Sequence, residues 1–291
     1  MRRYILTVTC PDRTGIVAAV SGFIADHGGW VLEAAQHGDL STGRFFLRIE
    51  VIADTLPFGP DGFRDRFEPV AREFEMTWWL SDTDVRKRVV ILVSQEDHCL
   101  ADLLYRWRSG DLECDIPCVI SNHDTLRSLV EWHGIAYHHV QVPGGSAAGA
   151  REPGREEAFA EIARLFDEAG GDVMVLARYM QILPAGLCDR YRGRILNIHH
   201  SFLPSFAGAR PYHQAFERGV KLIGATCHYV TADLDAGPII EQDIRRIDHS
   251  DTVDELLRIG RDIERTVLAR GLRWHLEDRV LENGGRTVVF T

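Results

Sequence analysis

The stretch ILNIHHSFLP, residues 195–204, decides the fold of this chain and points to its chemistry. It begins as an apolar strand and continues through an amide, Asn197, and an imidazole, His199. Side chains alternate along a strand, so Asn197 and His199 face one side and His200 the other. A later loop, DLDAGP at residues 233–238, supplies the carboxylate of Asp235. An amide that can bind an oxyanion, a histidine that can transfer a proton and a carboxylate that can orient it together predict acyl-group chemistry.

Apolar strands and amphipathic helices alternate on both sides of this stretch. Continuous apolar strands joined by helices predict a doubly wound, Rossmann-like parallel sheet, whose ligands bind at the carboxyl ends of the strands. A glycine-rich segment, residues 143–149, predicts a surface loop. The predicted strands are 89–94, 116–121, 136–140, 173–176 and 194–198, extended by 224–230 and 238–246, and a long helix closes the domain at 252–275.

The first eighty or so residues follow a different pattern, with the order βαββαβ. This order within a short segment predicts a ferredoxin-like sandwich. The predicted elements are strand 4–9, helix 16–26, strands 30–36 and 45–52, helix 63–74 and strand 76–80. The sequence therefore predicts two domains, at 1–82 and 89–291, joined by a polar linker at 83–88.

Composition narrows the possible functions. The 291 residues carry a formal charge of −10, with 45% hydrophobic and 26% charged residues, as in ordinary globular proteins. This charge argues against non-specific binding to nucleic acid or anionic membranes. The sequence also lacks an apolar run of the roughly 20 residues that a membrane helix needs. Six scattered cysteines without a C-x-x-C pair predict reduced thiols, a cytoplasmic protein and no zinc site.

Several segments together resemble the folate-dependent formyltransferase family, and most closely its hydrolytic members, over nearly the whole chain. The first domain resembles an ACT domain, a ferredoxin-like module that often binds amino acids and pairs across a dimer. The segments that carry the formyltransferase resemblance are VLARYMQIL (175–183), NIHHSFLPSF (197–206), GARPYHQA (208–215), GATCHYV (224–230) and LDAGP (234–238).

The resemblance implies a substrate, 10-formyltetrahydrofolate, that binds at the strand ends with its formyl group against Asn197, His199 and Asp235. Water would attack the formyl carbon and release formate and tetrahydrofolate. The formate would then serve purine synthesis. The folate is then the substrate, and neither a cofactor nor a metal is required. The implied folate pocket is lined on one side by Met180, Gln181, Ile182 and Leu183, and on the other by Thr231, Ala232, Asp233 and Leu234.

The segment after the first α/β strand favours hydrolysis over transfer. Transferases of the family that act on a phosphorylated amine hold the phosphate on a glycine-rich turn at this point, where backbone N–H groups and a helix N-terminus bind the anion. Here the segment is SQEDHC, residues 94–99, with two carboxylates and no glycine. The C-terminal residues also predict no basic RNA-binding domain. Water is therefore the expected acceptor.

Three other functions remain open as alternatives. The enzyme could transfer the formyl group to an amine acceptor, or the chain could be a non-catalytic sensor of folate or amino acids. A nucleotide-dependent dehydrogenase is disfavoured, because the first α/β strand is not followed by G-x-G-x-x-G.

Four further residues near the predicted site are candidates for a supporting role. His200, with Tyr212 and His213, is hypothesised to fill the space of an amine substrate and to hold the attacking water. The alternative is that His200 bonds to a backbone carbonyl on the reverse face. His228, on a predicted strand, is either a supporting residue or a neutral core histidine.

A turn in the first domain is a candidate effector site. The residues Asp12, Arg13, Thr14 and Gly15 can present backbone N–H groups to an amino-acid carboxylate, or can form an ordinary strand-to-helix turn. Trp30 lies where related modules often have a polar asparagine and would crowd such a pocket. The resemblance also implies a homo-oligomer, either a dimer or a tetramer.

Overall fold

A computed structural model describes residues 1–144, 154–204 and 211–291 of the protein. The chain divides into two compact units, Met1–Arg86 with Glu277–Thr291, and Lys87–Leu276. The C-terminal segment Glu277–Thr291, predicted to belong to the second domain, therefore lies in the first unit.

The first unit contains a four-stranded antiparallel sheet with the strand order β2-β3-β1-β4. The element order βαββαβ agrees with the sequence prediction. Helix α1, for example, buries Ile16, Val20, Phe23 and Ile24, the apolar residues that recur at helical spacing. The assignment as an ACT domain stays a prediction. The elements are β1 (Arg3–Pro11), α1 (Ile16–Asp26), β2 (Trp30–Asp39), β3 (Arg44–Ile52), α2 (Pro60–Glu73) and β4 (Thr77–Asp82).

A C-terminal hairpin, formed by the last two strands of the chain, completes the first unit. Arg279 Nη2 lies 3.3 Å from Glu33 Oε2. Asn283 Nδ2 donates a hydrogen bond to Asp39 Oδ2 over 2.6 Å. These contacts with β2 explain why the hairpin belongs to the first unit and not to the second. The four-residue strands, Val280–Asn283 and Arg286–Val289 (β12 and β13 in chain order), are too short for a periodic sequence signal.

The second unit contains a seven-stranded sheet with the order β11-β10-β9-β8-β5-β6-β7. Strands β5 to β9 are parallel, and β10 and β11 extend the sheet in antiparallel fashion. This confirms the predicted Rossmann-like sheet. Its strands are β5 (Val89–Val93), β6 (Cys118–Ser121), β7 (Ala136–His139), β8 (Val173–Leu176), β9 (Ile195–His199), β10 (Leu222–Tyr229) and β11 (Ile239–Arg246).

Within residues 87–144, 154–204 and 211–276, six helices of the second unit connect or cover these strands. The sequence did not predict α7, and the predicted loop at 143–149 lies, from residue 145 onward, outside the described residues. The helices are α3 (His98–Ser109), α4 (Arg127–Trp132), α5 (Arg155–Glu168), α6 (Ala185–Arg190), α7 (Pro211–Arg218) and α8 (Val253–Leu276). In the part of the chain that the structure describes, no helix is both long enough and apolar enough to cross a membrane.

The prediction from the first unit concerns Arg48, whose side chain is 0% exposed and lies 2.6 Å from Glu50, which is 7% exposed. Replacing Arg48 with Met removes the buried one of the two cations that pair with the Glu50 carboxylate, and leaves only the partly exposed Arg3 at 3.0 Å. We expect the free energy of unfolding to fall by about 3–5 kcal/mol, as for other broken buried ion pairs. Denaturant unfolding measures this loss.

The matched control is Arg72→Met, because Arg72 pairs with Glu68 on the surface of α2, where the two side chains are 78% and 43% exposed. An exposed pair of this kind contributes at most about 0.5 kcal/mol. Equal losses of unfolding free energy in the two variants would show that the buried Arg48 pair contributes no more stability than an exposed pair.

Candidate active site

The register between β9 and β10 places Asn197 directly opposite His228. Asn197 Nδ2 donates a hydrogen bond to His228 Nε2 over 3.1 Å. The other imidazole nitrogen, His228 Nδ1, donates to the carbonyl oxygen of Tyr229 over 2.9 Å. The two partners fix both the tautomer of His228 and the orientation of the Asn197 amide. The second N–H of that amide can then donate to an oxyanion.

Burial keeps His228 neutral. The residue is 2% exposed, and desolvation lowers the pKa of its imidazole, although the carbonyl of Tyr229 and the charge of Asp235 act in the opposite direction. A neutral imidazole can accept the hydrogen bond from Asn197, whereas a protonated one cannot. His228 is therefore a buried, neutral histidine that accepts a hydrogen bond from Asn197, and its supporting role in the site stays a prediction.

His199 and Asp235 form the second pair of the site. The two atoms His199 Nδ1 and Asp235 Oδ1 are 3.3 Å apart. Burial raises the pKa of Asp235, but the hydrogen bond and charge of His199 outweigh it, so the pKa of this carboxyl is lowered. The opposite ring nitrogen, His199 Nε2, is buried and has no hydrogen-bond partner among the described residues. This nitrogen is therefore the one available for proton transfer.

The loop between β10 and β11 carries Asp235 back to His199 through a close backbone contact. A Cβ atom at Gly237 would lie 1.8 Å from the carbonyl oxygen of Tyr229, so this position admits only glycine. Tyr229 N–H also donates to the carbonyl of Pro238 over 2.9 Å. Asp235 itself adopts a positive φ of 54°. The Asp235-Ala236-Gly237-Pro238 sequence is thus explained by the turn that delivers the carboxylate.

A buried polar cluster lies next to His200. Tyr212 Oη donates to Glu264 Oε1 over 2.7 Å, and the other oxygen, Oε2, is 2.8 Å from His98 Nε2 and 3.4 Å from Arg178 Nε. The sequence analysis missed His98, Arg178 and Glu264. The signal in the sequence was the position of Glu264, because a carboxylate on the apolar face of a helix, here between Ile263 and Val267, indicates a buried polar contact.

The same cluster contains three potential metal ligands, because the donor atoms of His98, Cys99 and Glu264 lie within 4.8 Å of one another. The Glu264 carboxylate is already engaged by three partners, and the guanidinium of Arg178 would repel a cation. We therefore treat the cluster as an ion-pair network, and the metal-free site stays a prediction.

The first predicted wall of the folate pocket follows β8. Met180 is 43% exposed, whereas Leu183 belongs to the buried core. Arg155 holds the segment between them, since its Nη1 donates to Gln181 Oε1 over 3.1 Å and its Nη2 to the carbonyl of Ile182 over 3.1 Å. Met180 is thus the apolar residue of this wall that faces outward, and contact of any of the four with folate stays a prediction.

The second predicted wall is the loop that carries Asp235. Leu234 is 60% exposed, and Thr231 Oγ1 donates to the carbonyl of Asp233 over 3.0 Å. Ala232 is exposed. The loop is therefore ordered by its own hydrogen bonds, with an apolar side chain presented at its tip.

The candidate effector turn in the first unit is a strand-to-helix connection. Gly15 has a φ of 98° and precedes α1. Asp12 N–H donates to the carbonyl of Gly43 over 2.8 Å, and the Arg13 guanidinium donates to the carbonyl of Glu73. Trp30 is 65% exposed. These contacts account for the turn without a ligand, so amino-acid binding at residues 12–15 stays a prediction.

Comparison with known proteins identifies the family of the chain. Residues 87–272 match the family model described as formyl transferase. The chain belongs to the formyl transferase family. The resemblance seen in the sequence is thereby confirmed, and the matched range spans most of the second unit.

Relatives over the full length carry one name within this family. The chain is 49% identical to the formyltetrahydrofolate deformylase of Bacillus subtilis, over 98% of this chain and 93% of the relative. It is 46% identical to that of a Corynebacterium species, over 99% and 98%. The crystal structure of a formyltetrahydrofolate deformylase from Pseudomonas syringae superposes with a TM-score of 0.95, at 59% identity over 100% of this chain and 95% of that one.

A prediction from the site concerns His200, whose pKa is lowered from 6.5 to about 3 by burial and by the charge of Arg178. We expect its imidazole to stay neutral at mildly acidic pH, as NMR titration of the ring would show. The unfolded chain binds this proton below 6.5, so the stability due to neutral His200 is present above 6.5 and is lost as the pH falls towards about 3.

The control for this prediction is the His200→Gln variant, which cannot titrate. Its unfolding free energy should fall less between neutral and mildly acidic pH than that of the wild-type protein. An imidazole that titrates near its ordinary pKa would contradict the burial argument.

Proposed function

We propose that the protein hydrolyses 10-formyltetrahydrofolate to formate and tetrahydrofolate. The observation that carries the proposal is the convergence of Asn197, His199 and Asp235 at one point of β9, in a chain whose full-length relatives are named formyltetrahydrofolate deformylases. An oxyanion donor beside a histidine–carboxylate pair suits hydrolysis of a formamide.

The proposed mechanism begins with attack of water on the formyl carbon. As the C–O bond forms, negative charge develops on the formyl oxygen, where the Asn197 amide donates a hydrogen bond. The proton of the water passes to the His199–Asp235 pair, in which His199 Nδ1 and Asp235 Oδ1 are 3.3 Å apart. The C–N bond then breaks, and the folate nitrogen receives a proton. Formate and tetrahydrofolate are the products.

His228 supports this mechanism as a positioning residue. Its Nε2 atom accepts from Asn197 over 3.1 Å and so directs the amide. The same atom is 4.0 Å from Asp235 Oδ1. Folate binding is proposed between the outward-facing Met180, with Gln181, Ile182 and Leu183, and the loop from Thr231 to Leu234.

The segment after β5 supports water as the acceptor. Ser94 Oγ accepts from Met180 N–H over 2.9 Å and donates to Asn122 Oδ1 over 2.7 Å. The carboxylate of Glu96 lies 3.7 Å from His98. With its hydroxyl engaged and a carboxylate adjacent, this segment offers little to a phosphorylated amine. A glycinamide ribonucleotide transformylase from Symbiobacterium toebii is similar over 71% of this chain, at 30% identity and a TM-score of 0.64. Transfer to an amine is therefore the second candidate function.

We infer for the first unit the role of an ACT-like module that binds an amino acid and pairs with a second copy. Its βαββαβ order supports this role, as does the exposure of Trp30 and Leu32 on the edge strand β2. The resulting homo-oligomer, a dimer or a tetramer, and a cytoplasmic location are also proposals. The six cysteines, all free and buried, support a reducing compartment.

Amino-acid regulation has a direct test. Glycine or methionine should change the rate of formate release if the turn at residues 12–15 binds an effector that is coupled to the site. A rate that stays constant through both titrations would count against these two ligands.

The catalytic proposal predicts formate and tetrahydrofolate in equal amounts when the purified protein is incubated with 10-formyltetrahydrofolate in buffer alone. Asn197→Ala removes an oxyanion donor and should lower kcat about 100- to 1000-fold with little effect on KM. Asp235→Asn should abolish most turnover and retain folate binding.

The matched control is Asp189→Asn, which neutralises an exposed aspartate on α6. This variant should turn over at the wild-type rate. Near-normal turnover in Asp235→Asn would refute the assignment, and tight folate binding without turnover in the wild type would favour the transferase.

A further inference from the structure

Helix α8 contains a slot for the ring of Tyr212. Gly260 and Glu264 are four residues apart, so they lie on the same face of the helix. A Cβ atom at Gly260 would lie only 2.2 Å from Tyr212 Cζ, so the ring rests directly against the helix backbone. One turn further along, Glu264 accepts the tyrosine hydroxyl over 2.7 Å. The glycine provides space for the ring and the glutamate fixes its end.

The charge state of Glu264 strengthens the hydrogen bond that holds Tyr212 in this slot. Burial raises the pKa of the Glu264 carboxyl, but the hydrogen bond with His98 and the charge of Arg178 outweigh it, so the pKa is lowered and the group is ionised. Burial and this carboxylate together raise the pKa of Tyr212, which therefore remains a hydrogen-bond donor. Hydrogen bonds to an ionised acceptor are roughly twice as strong as neutral ones.

The docked tyrosine reaches towards the catalytic pair through His200. The ring centroids of Tyr212 and His200 are 6.3 Å apart, and those of His200 and His199 are 5.3 Å apart. Tyr212 and His200 are thus successive rings on a path that starts at α8 and ends at the histidine of the site.

A cavity of about 500 Å³ borders these two rings. Tyr212 and His200 line it, whereas His199 does not. The other lining residues are mainly apolar and include Phe202, Ala215, Val220, Leu222, Ile223 and Ile244. These two rings, called the wall below, therefore border a space that is large enough for a small organic molecule and that His199 does not line.

We propose that Gly260 and Glu264 are positioning residues that set the acceptor of the reaction. By docking Tyr212 against His200, they keep the wall closed, so that water reaches the formyl carbon and an amine does not. The inference rests on the proposed hydrolytic function and assigns its acceptor specificity to residues that do not touch the substrate.

The two outcomes at the formyl carbon differ only in the nucleophile. With water, a C–O bond forms, the bond from carbon to the folate nitrogen breaks, and formate and tetrahydrofolate leave. With a primary amine, a new C–N bond forms, the same bond breaks, and a formamide leaves in place of formate. In both cases the nucleophile loses a proton and the folate nitrogen gains one. The ratio of formamide to formate therefore reports the acceptor directly.

The test uses methoxyamine, an amine that is uncharged at neutral pH, added to the full-length protein with 10-formyltetrahydrofolate. Mass spectrometry measures N-methoxyformamide and formate in the same sample, with the reaction without enzyme subtracted. The wild-type protein should release formate almost exclusively. Tyr212→Ala, which removes the wall, and Gly260→Ala, which displaces the ring, should each raise the ratio about tenfold or more, the scale on which close-fitting pockets discriminate.

Two variants act as controls. Tyr212→Phe retains the ring and loses only the bond to Glu264, so it should raise the ratio less than Tyr212→Ala. Gly22→Ala also adds a methyl group to a helical glycine, but on α1, where the new Cβ meets no atom within 4 Å. Its ratio should equal that of the wild type.

The ratio is independent of the fraction of molecules that fold, because only molecules that turn over contribute to it. An unchanged ratio in both Tyr212→Ala and Gly260→Ala, with slower hydrolysis, would show a merely structural role and overturn the proposal. Efficient transfer by the wild-type protein would overturn it too. Failure of the wild type to release formate in buffer alone would instead refute the proposed function.

Discussion

The antiparallel pairing of β10 with β9 is the constraint on which the site depends. Strand β9 is the last of the parallel strands, and its free edge accepts a strand that runs in the opposite direction. This reversal sets His228 opposite Asn197 and ends β10 opposite Leu196, and the loop that follows returns from there to place Asp235 3.3 Å from His199. The contact between Asn197 and His228 thus depends on the direction of β10, and the position of Asp235 depends on the loop that follows it.

Burial then sorts the ionisable groups into two states. Imidazoles without an adequate counter-charge become neutral, as the lowered pKa values of His200 and His228 show. Carboxylates with hydrogen-bond donors stay ionised, as in Asp235 and Glu264. Each neutral imidazole lies near an ionised carboxylate, but the charge of that carboxylate does not offset the desolvation of the ring. The Asp235 and Glu264 carboxylates therefore stay ionised while the nearby imidazoles of His200 and His228 stay neutral.

Much of the fold follows from periodicity in the sequence. The run Val89–Val93 is buried throughout, and such continuous apolar strands identify a parallel sheet covered on both faces. The pairing of His199 with Asp235 was anticipated from the motif, because Gly237 and Pro238 mark the turn that brings the carboxylate back. The sequence did not reveal α7, which is short, or the terminal hairpin. It also gave no account of Glu264, since a carboxylate on a helix is ordinarily read as solvent-exposed, and its partners His98 and Arg178 come from distant elements.

The hairpin at Val280–Val289 gives the first unit a discontinuous chain. Its sheet is encoded in the first 86 residues, but the segment that binds Glu33 and Asp39 is encoded after residue 276. During synthesis, domains generally fold as units, beginning with those nearest the N-terminus. Here the first sheet lacks its contacts with the hairpin until the ribosome has produced the whole intervening α/β unit. The segment Glu277–Thr291 thus finishes the unit that was begun first, and that unit can complete its fold only after the α/β unit Lys87–Leu276 has been made.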